Sequence, residues 1–156
     1  MATDLLLAAL HHLLVFALTA MLVSQAAMLR GPLTADALPR LAKLDAGYGA
    51  CAGLLLVVGL LLLVGLGRVF FGVKGEDFYL HNPWFHAKVG TFVLVGLLSI
   101  LPTIRYARWK KAQRTQPAFV PDATALARTR TLLRIELVGL AIIFVLAAAM
   151  ARFGGF

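Results

Sequence analysis

Charge and cysteine are what this chain has least of. Only 14% of its 156 residues are charged, and acidic side chains are the rarer kind, seven Asp and Glu against fifteen Lys and Arg. There is one cysteine, Cys51, in an apolar stretch. A lone thiol cannot close an internal disulfide, and there it reads as a small packing residue. The missing cysteines also remove a Cys/His zinc cluster and the motif of covalent haem attachment. No Gly-rich phosphate loop and no Ser-His-Asp arrangement is present. The regular polar/apolar alternation of a transmembrane β-barrel is absent too. No low-complexity segment and no repeat of fixed period divides the chain, so 1–156 reads as one domain.

What is there is hydrophobic: 61% of the residues, concentrated in four segments, 5–29, 46–67, 83–104 and 135–151. A helix needs about 20 apolar residues to cross a hydrocarbon core of about 30 Å. The first three segments meet that length, and the fourth lies at its lower limit. In lipid the backbone must satisfy its own hydrogen bonds, so the segments are expected to be helices. The expected architecture is all-α, a four-transmembrane-helix bundle. The first segment is expected to be a retained helix, not a cleaved signal. Its start, Met1-Ala2-Thr3-Asp4, carries no positive charge, and its apolar run exceeds the roughly 7–15 residues of a signal core.

The net charge of +8 is unevenly spread. The link after the first segment holds Arg30, Arg40 and Lys43. The link after the third holds Arg105, Arg108, Lys110, Lys111, Arg114, Arg128, Arg130 and Arg134. The opposite side has Arg68, Lys74 and Arg152. Positive charge marks the cytoplasmic side, so both termini are expected on the outer, periplasmic side of a bacterial inner membrane. The basic links then serve topology and contact with lipid headgroups. Nucleic acid is not an expected partner, because no aromatics interleave with the charges to make a stacking surface.

Along the chain, Gly31-Pro32 ends the first helix. Residues 33–43 are amphipathic and expected to lie along the interface. The second segment carries Gly47, Gly49, Gly53, Gly59, Gly65 and Gly67. Small residues let membrane helices approach closely, within one chain or in a homodimer, and a flat cofactor uses the same space. Residues 68–82 form an outer loop whose Phe70, Phe71, Phe78 and Tyr79, with Trp84, match an interfacial aromatic belt. Asn82 and Pro83 suit the N-cap and first position of the third helix.

Chemistry inside the bilayer has few places to reside. Ionisable residues there cost a few kcal/mol or more and persist when they face a partner, a cavity or a cofactor. His11-His12 lies in the first segment, and His86 and Lys88 open the third. Both segments start on the same side, so His11 can meet Lys88 or His86 at one depth. His86 and Lys88 are about 200° apart at 100° per residue and point to opposite sides. Lys88 shares its face with Thr91, Val95, Ser99 and Pro102, a polar stripe that suits the interior. His11 shares its face with Ala8, Leu18 and Gln25, and His12 points elsewhere. A structural hydrogen bond, a proton or ion relay, a divalent metal site and an axial haem site all use such residues. Glu136, at the inner end of the fourth segment, reads as an interfacial ion pair with a basic residue or as a proton acceptor.

Several of these residues lie in recognisable surroundings. Arg68-Val-Phe-Phe-Gly, Tyr79-Leu-His-Asn-Pro, Phe85-His-Ala-Lys88 and Leu97-Leu-Ser-Ile resemble a bacterial family of small four-span membrane proteins of unassigned function. Ala9-Leu10-His11, Phe85-His86-Ala87-Lys88 and Arg134-Ile-Glu136 are similar to the HemJ-type membrane protoporphyrinogen IX oxidase. The order of spans also resembles copper-resistance D-type membrane proteins. The HemJ-type resemblance implies a haem b-containing oxidoreductase that passes electrons to quinone or another redox protein. In that reading His11 is the likeness of the first-span haem ligand, and Lys88 that of the third-span lysine. Lys88 then either ligates the iron or pairs with a propionate, and His86 and His12 are the other candidates at the cofactor. The alternative class is a non-catalytic membrane protein, a small transporter or assembly factor, in which the same His and Lys form a structural bond or proton relay.

Overall fold

The computed structural model describes residues 2–60 and 81–153. The loop expected at 68–82 therefore lies outside the described residues except for His81 and Asn82, as do Gly65 and Gly67. Four helices account for nearly all of the described chain: α1 (Ala2–Met28), α2 (Ala37–Leu60), α3 (Pro83–Thr115) and α4 (Ala123–Phe153). There is no strand among the described residues. Each helix is long and apolar enough to cross a membrane.

The helices form a four-membered ring. α1 packs on α2 and α3 packs on α4 as two extensive hairpins, and these meet where α2 touches α3 and α1 touches α4. The two links lie at one end. There Gln113 Nε2 donates to the Ala35 carbonyl at 2.7 Å, and Arg130 donates to the Gly31 carbonyl at 3.2 Å. At the other end Trp84 meets Phe153, with ring centroids 6.5 Å apart.

Buried residues follow alternating three- and four-residue steps, the spacing of a left-handed helix seam. On α1 they are Leu18, Leu22 and Gln25; on α2, Leu38, Leu41, Asp45, Tyr48, Leu55 and Val58. On α3 the seam runs through Val95, Pro102, Tyr106 and Trp109, and on α4 through Leu126, Thr129, Leu133, Glu136 and Leu140. Many large apolar side chains are on the outside: Phe16 is 74% exposed, Leu5 71% and Val145 68%. In water that would be a fault. Against lipid tails it costs nothing, and the interior is left to side chains that lipid cannot satisfy.

Three expectations about helix extent change. Residues 37–43 do not lie flat along an interface but form the first two turns of α2, because Leu38 and Leu41 continue the seam that Asp45 and Tyr48 occupy. α3 does not end near Ile104 but runs to Thr115. Its 33 residues span about 50 Å at 1.5 Å per residue, well beyond a hydrocarbon core of about 30 Å. The extension holds no Gly or Pro, and Tyr106 and Trp109 keep packing inward. α4, expected to begin between Arg128 and Arg134 ahead of the apolar segment, starts slightly earlier, at Ala123, with those arginines on its early turns.

The helix starts are capped as their sequences imply. Asn82 Oδ1 accepts from the backbone of Trp84 at 2.9 Å and Phe85 at 3.3 Å, and Pro83 fills the position that needs no donor. Asp122 Oδ1 accepts from Ala125 N at 2.8 Å and does the same for α4.

Candidate functional site

The bundle carries two levels of interior polar residues. The outer level is built from the first turns of α1 and α3. His11 lies seven residues before Leu18, and Lys88 seven before Val95, so both fall on the inward seams. Each is half-buried, and they are close enough for the Lys88 charge to act on His11. α1 and α3 stand diagonally across the ring, so this interaction crosses the interior. The Nδ1 atom of His11 is buried and has no hydrogen-bond partner.

The neighbouring candidates face outward. His12 is exposed, and its Nδ1 lies 2.6 Å from the Ala8 carbonyl, to which it donates in the matching tautomer. Its ring contacts that of His11 edge-on, with centroids 5.9 Å apart. His86 is exposed too, and its ring packs against Phe85. The 200° separation of His86 and Lys88 thus puts them on different sides of α3, with the lysine inward.

Glycines on α2 differ in what they face. Gly47 packs on Met21, with a β-carbon there only 2.7 Å from the Met21 sulfur. Gly49 and Gly53 are exposed, while Gly59, half-buried toward the outer end, has open space where a side chain would stand.

The inner level was only partly foreseen. Glu136 on α4 is 1% exposed, and the groups acting on it are Asp45 and Tyr48, both on α2. The Tyr48 hydroxyl donates toward the Glu136 carboxylate and is also within hydrogen-bonding range of Ser99. Asp45, 6% exposed, is reached by the Thr103 hydroxyl. Tyr106 lies in the field of both carboxylates and of Arg105, with its hydroxyl unpartnered. Glu136 Oε1 and both amide atoms of Gln25 are buried without partners as well. Nearer the link end, Arg105 donates to Thr129 Oγ1 at 3.1 Å. The ion pair expected for Glu136 is therefore replaced by a tyrosine and a second carboxylate. The seam turns Glu136 into the bundle, away from the basic residues of the exposed face.

Asp45 was missed because it immediately precedes the apolar segment and reads as part of a polar link. The signal was in the spacing: Leu38, Leu41, Asp45 and Tyr48 sit on one helical face. Among the described residues, no three His, Cys, Asp or Glu side chains are grouped to hold a metal ion.

Residues 3–155 match the family described as predicted membrane protein (DUF2214), and the chain belongs to it. It is a multi-pass membrane protein. No curated protein and no solved structure matches the chain, so the comparisons do not support the resemblance to HemJ-type oxidases, drawn from short motifs, or to copper-resistance D-type proteins, drawn from the order of spans.

Proposed function

We propose that this membrane protein binds haem b at the outer level of its bundle and has a redox role, with His11 as axial ligand. The observation that carries the reading is the buried His11 Nδ1, which has no partner and lies near Lys88 across the interior. A buried polar atom without a partner calls for one. Imidazole is a common ligand to haem iron. Lys88 serves either as a second ligand, which requires its neutral form, or as the counter-charge to a propionate. Open space at Gly59 leaves room on the neighbouring helix. His12 and His86, both exposed, are the weaker candidates. Bound haem supplies one-electron chemistry, and the protein's part is to ligate, orient and bury it.

In this reading the basic links face the cytoplasm and both termini face the periplasm of a bacterial inner membrane. Lipid surrounds the apolar belt, and a quinone or another redox protein exchanges electrons with the site. A porphyrinogen is the substrate class that the HemJ-type motifs suggest.

The test is an absorbance spectrum. The full chain, expressed in haem-replete cells and purified in mild detergent, is expected to show a Soret band that shifts on dithionite reduction. A colourless protein overturns the proposal. The second reading, a non-catalytic transporter or assembly factor, is favoured by the polar side chains at two levels of the interior, which can serve as structural bonds or a relay. It predicts a colourless protein that His11→Ala destabilises without any spectral change.

A further inference from the structure

The inner level contains something that an ordinary packed interior does not: two carboxyl groups on diagonally opposed helices, with no basic side chain among the described groups acting on them. Asp45 and Glu136 act on one another across the bundle. Both are more than nine-tenths buried, at 6% and 1% exposed. Two ionised carboxylates in such a place carry a desolvation cost and a mutual repulsion that no cation among the described residues offsets. Arg105 is engaged with Thr129 and acts on Tyr106. The least costly occupant of the pair is a proton, because it removes one charge and turns an acceptor into a donor.

The surrounding side chains suit that occupant. Tyr48, on the same α2 seam as Asp45, donates toward Glu136 and lies within the field of the Asp45 carboxylate. Ser99 and Thr103 on α3 lie beside Tyr48 and Asp45, with their hydroxyls donating within α3 to the Gly96 and Ser99 carbonyls at 2.7 and 3.0 Å and their oxygens free to accept. Tyr106, 3% exposed, feels both carboxylates while its own hydroxyl lacks a partner. Glu136 Oε1 lacks one too, and it is the atom a proton would occupy. On α1 the seam position at this level is the uncharged Gln25. Among the described residues, the titratable and charged groups acting in this region besides the pair are Tyr48 from α2 and Tyr106 and Arg105 from α3.

We propose that Asp45 and Glu136 form a proton-binding site in which the two buried carboxyl groups share one exchangeable proton, with Tyr48 beside them. Uptake of the proton from water changes the charge of the pair from −2 to −1, and release reverses it. No other bond is made or broken. The site is separate from the outer His11/Lys88 level and does not depend on haem there.

Infrared absorption of the carboxylic-acid carbonyl reads this directly. The full chain in lipid is titrated while that band is recorded. Wild type is expected to hold an acid band at neutral pH and to titrate in two coupled steps, which belong to the pair. Above the acidic range in which the other carboxyls of the chain titrate, Asp45→Asn and Glu136→Gln are each expected to leave at most a single step, and the double variant none. Isotope labelling of aspartate, and separately of glutamate, checks the same point without any substitution: each label should move part of the neutral-pH band. The proposal is overturned if wild type has no acid band at neutral pH. It is also overturned if the double variant retains the band, or if only one label moves it. A colourless protein in the visible test leaves this experiment unaffected, so the two proposals fail separately.

Discussion

The two polar levels of this bundle solve the same problem in opposite ways. The outer level sets a histidine and a lysine on α1 and α3, half-buried and close, with the histidine's inner nitrogen left unpartnered. The inner level sets two carboxylates on α2 and α4, almost fully buried, with the Tyr48 hydroxyl donating toward Glu136 and Thr103 beside Asp45. One level offers basic nitrogen, the other acidic oxygen. Leu18, Leu55, Val95 and Leu140 are seam positions between them, buried and apolar. The lesson is that a membrane interior can be chemically divided along its depth, because a buried polar group can interact only with groups that lie near its own level.

The sharpest way to break the comparison is to strip one level and watch the other. His11→Ala is expected to abolish the Soret band entirely, while Asp45→Asn leaves it in place. If Asp45→Asn also removes the band, the two levels are a single site. Next in size is Lys88→Met, which keeps apolar volume and is expected to lose or shift the haem spectrum. Lys88→Arg should restore a propionate counter-charge but not a ligand, since guanidinium stays protonated. His86→Ala should leave the spectrum as it was. A spectrum lost with His86→Ala and kept with Lys88→Met would reverse the assignment of α3's inward face.

Packing around the levels separates them further. A β-carbon at Gly139 would collide with the Val95 side chain, whereas Gly53 faces open space. Gly139→Ala is therefore expected to cost about 1–3 kcal/mol of stability by overpacking, and Gly53→Ala to change it by about 0.5 kcal/mol or less. Unfolding in mixed detergent measures both. An equal response at the two positions would refute the contact between α3 and α4 at Val95. Between these two in size is the expected effect of Tyr48→Phe. It removes the hydroxyl that donates toward Glu136, at about 0.5–2 kcal/mol, and should leave the visible spectrum untouched. A cost near zero would mean that Tyr48 holds no part of the carboxylate pair.

Much of this protein is determined by sequence alone, for a physical reason. In lipid only a few backbone arrangements are allowed, so four long apolar runs imply four helices. The caps at Asn82 and Pro83 are local chemistry and were legible as well. So was the depth shared by His11 and Lys88, since the rise per residue of a helix is constant. The helix limits were not legible from hydropathy. α2 and α3 continue beyond their apolar segments because their seams do, and a seam is a relation between helices. The same holds for the inner level. Asp45 stands beside a polar link and Glu136 beside a run of arginines, and by sequence each belongs to the surface. Only the packing of α2 across from α4 turns them toward each other, by rotating one face of each helix out of reach of lipid and water together.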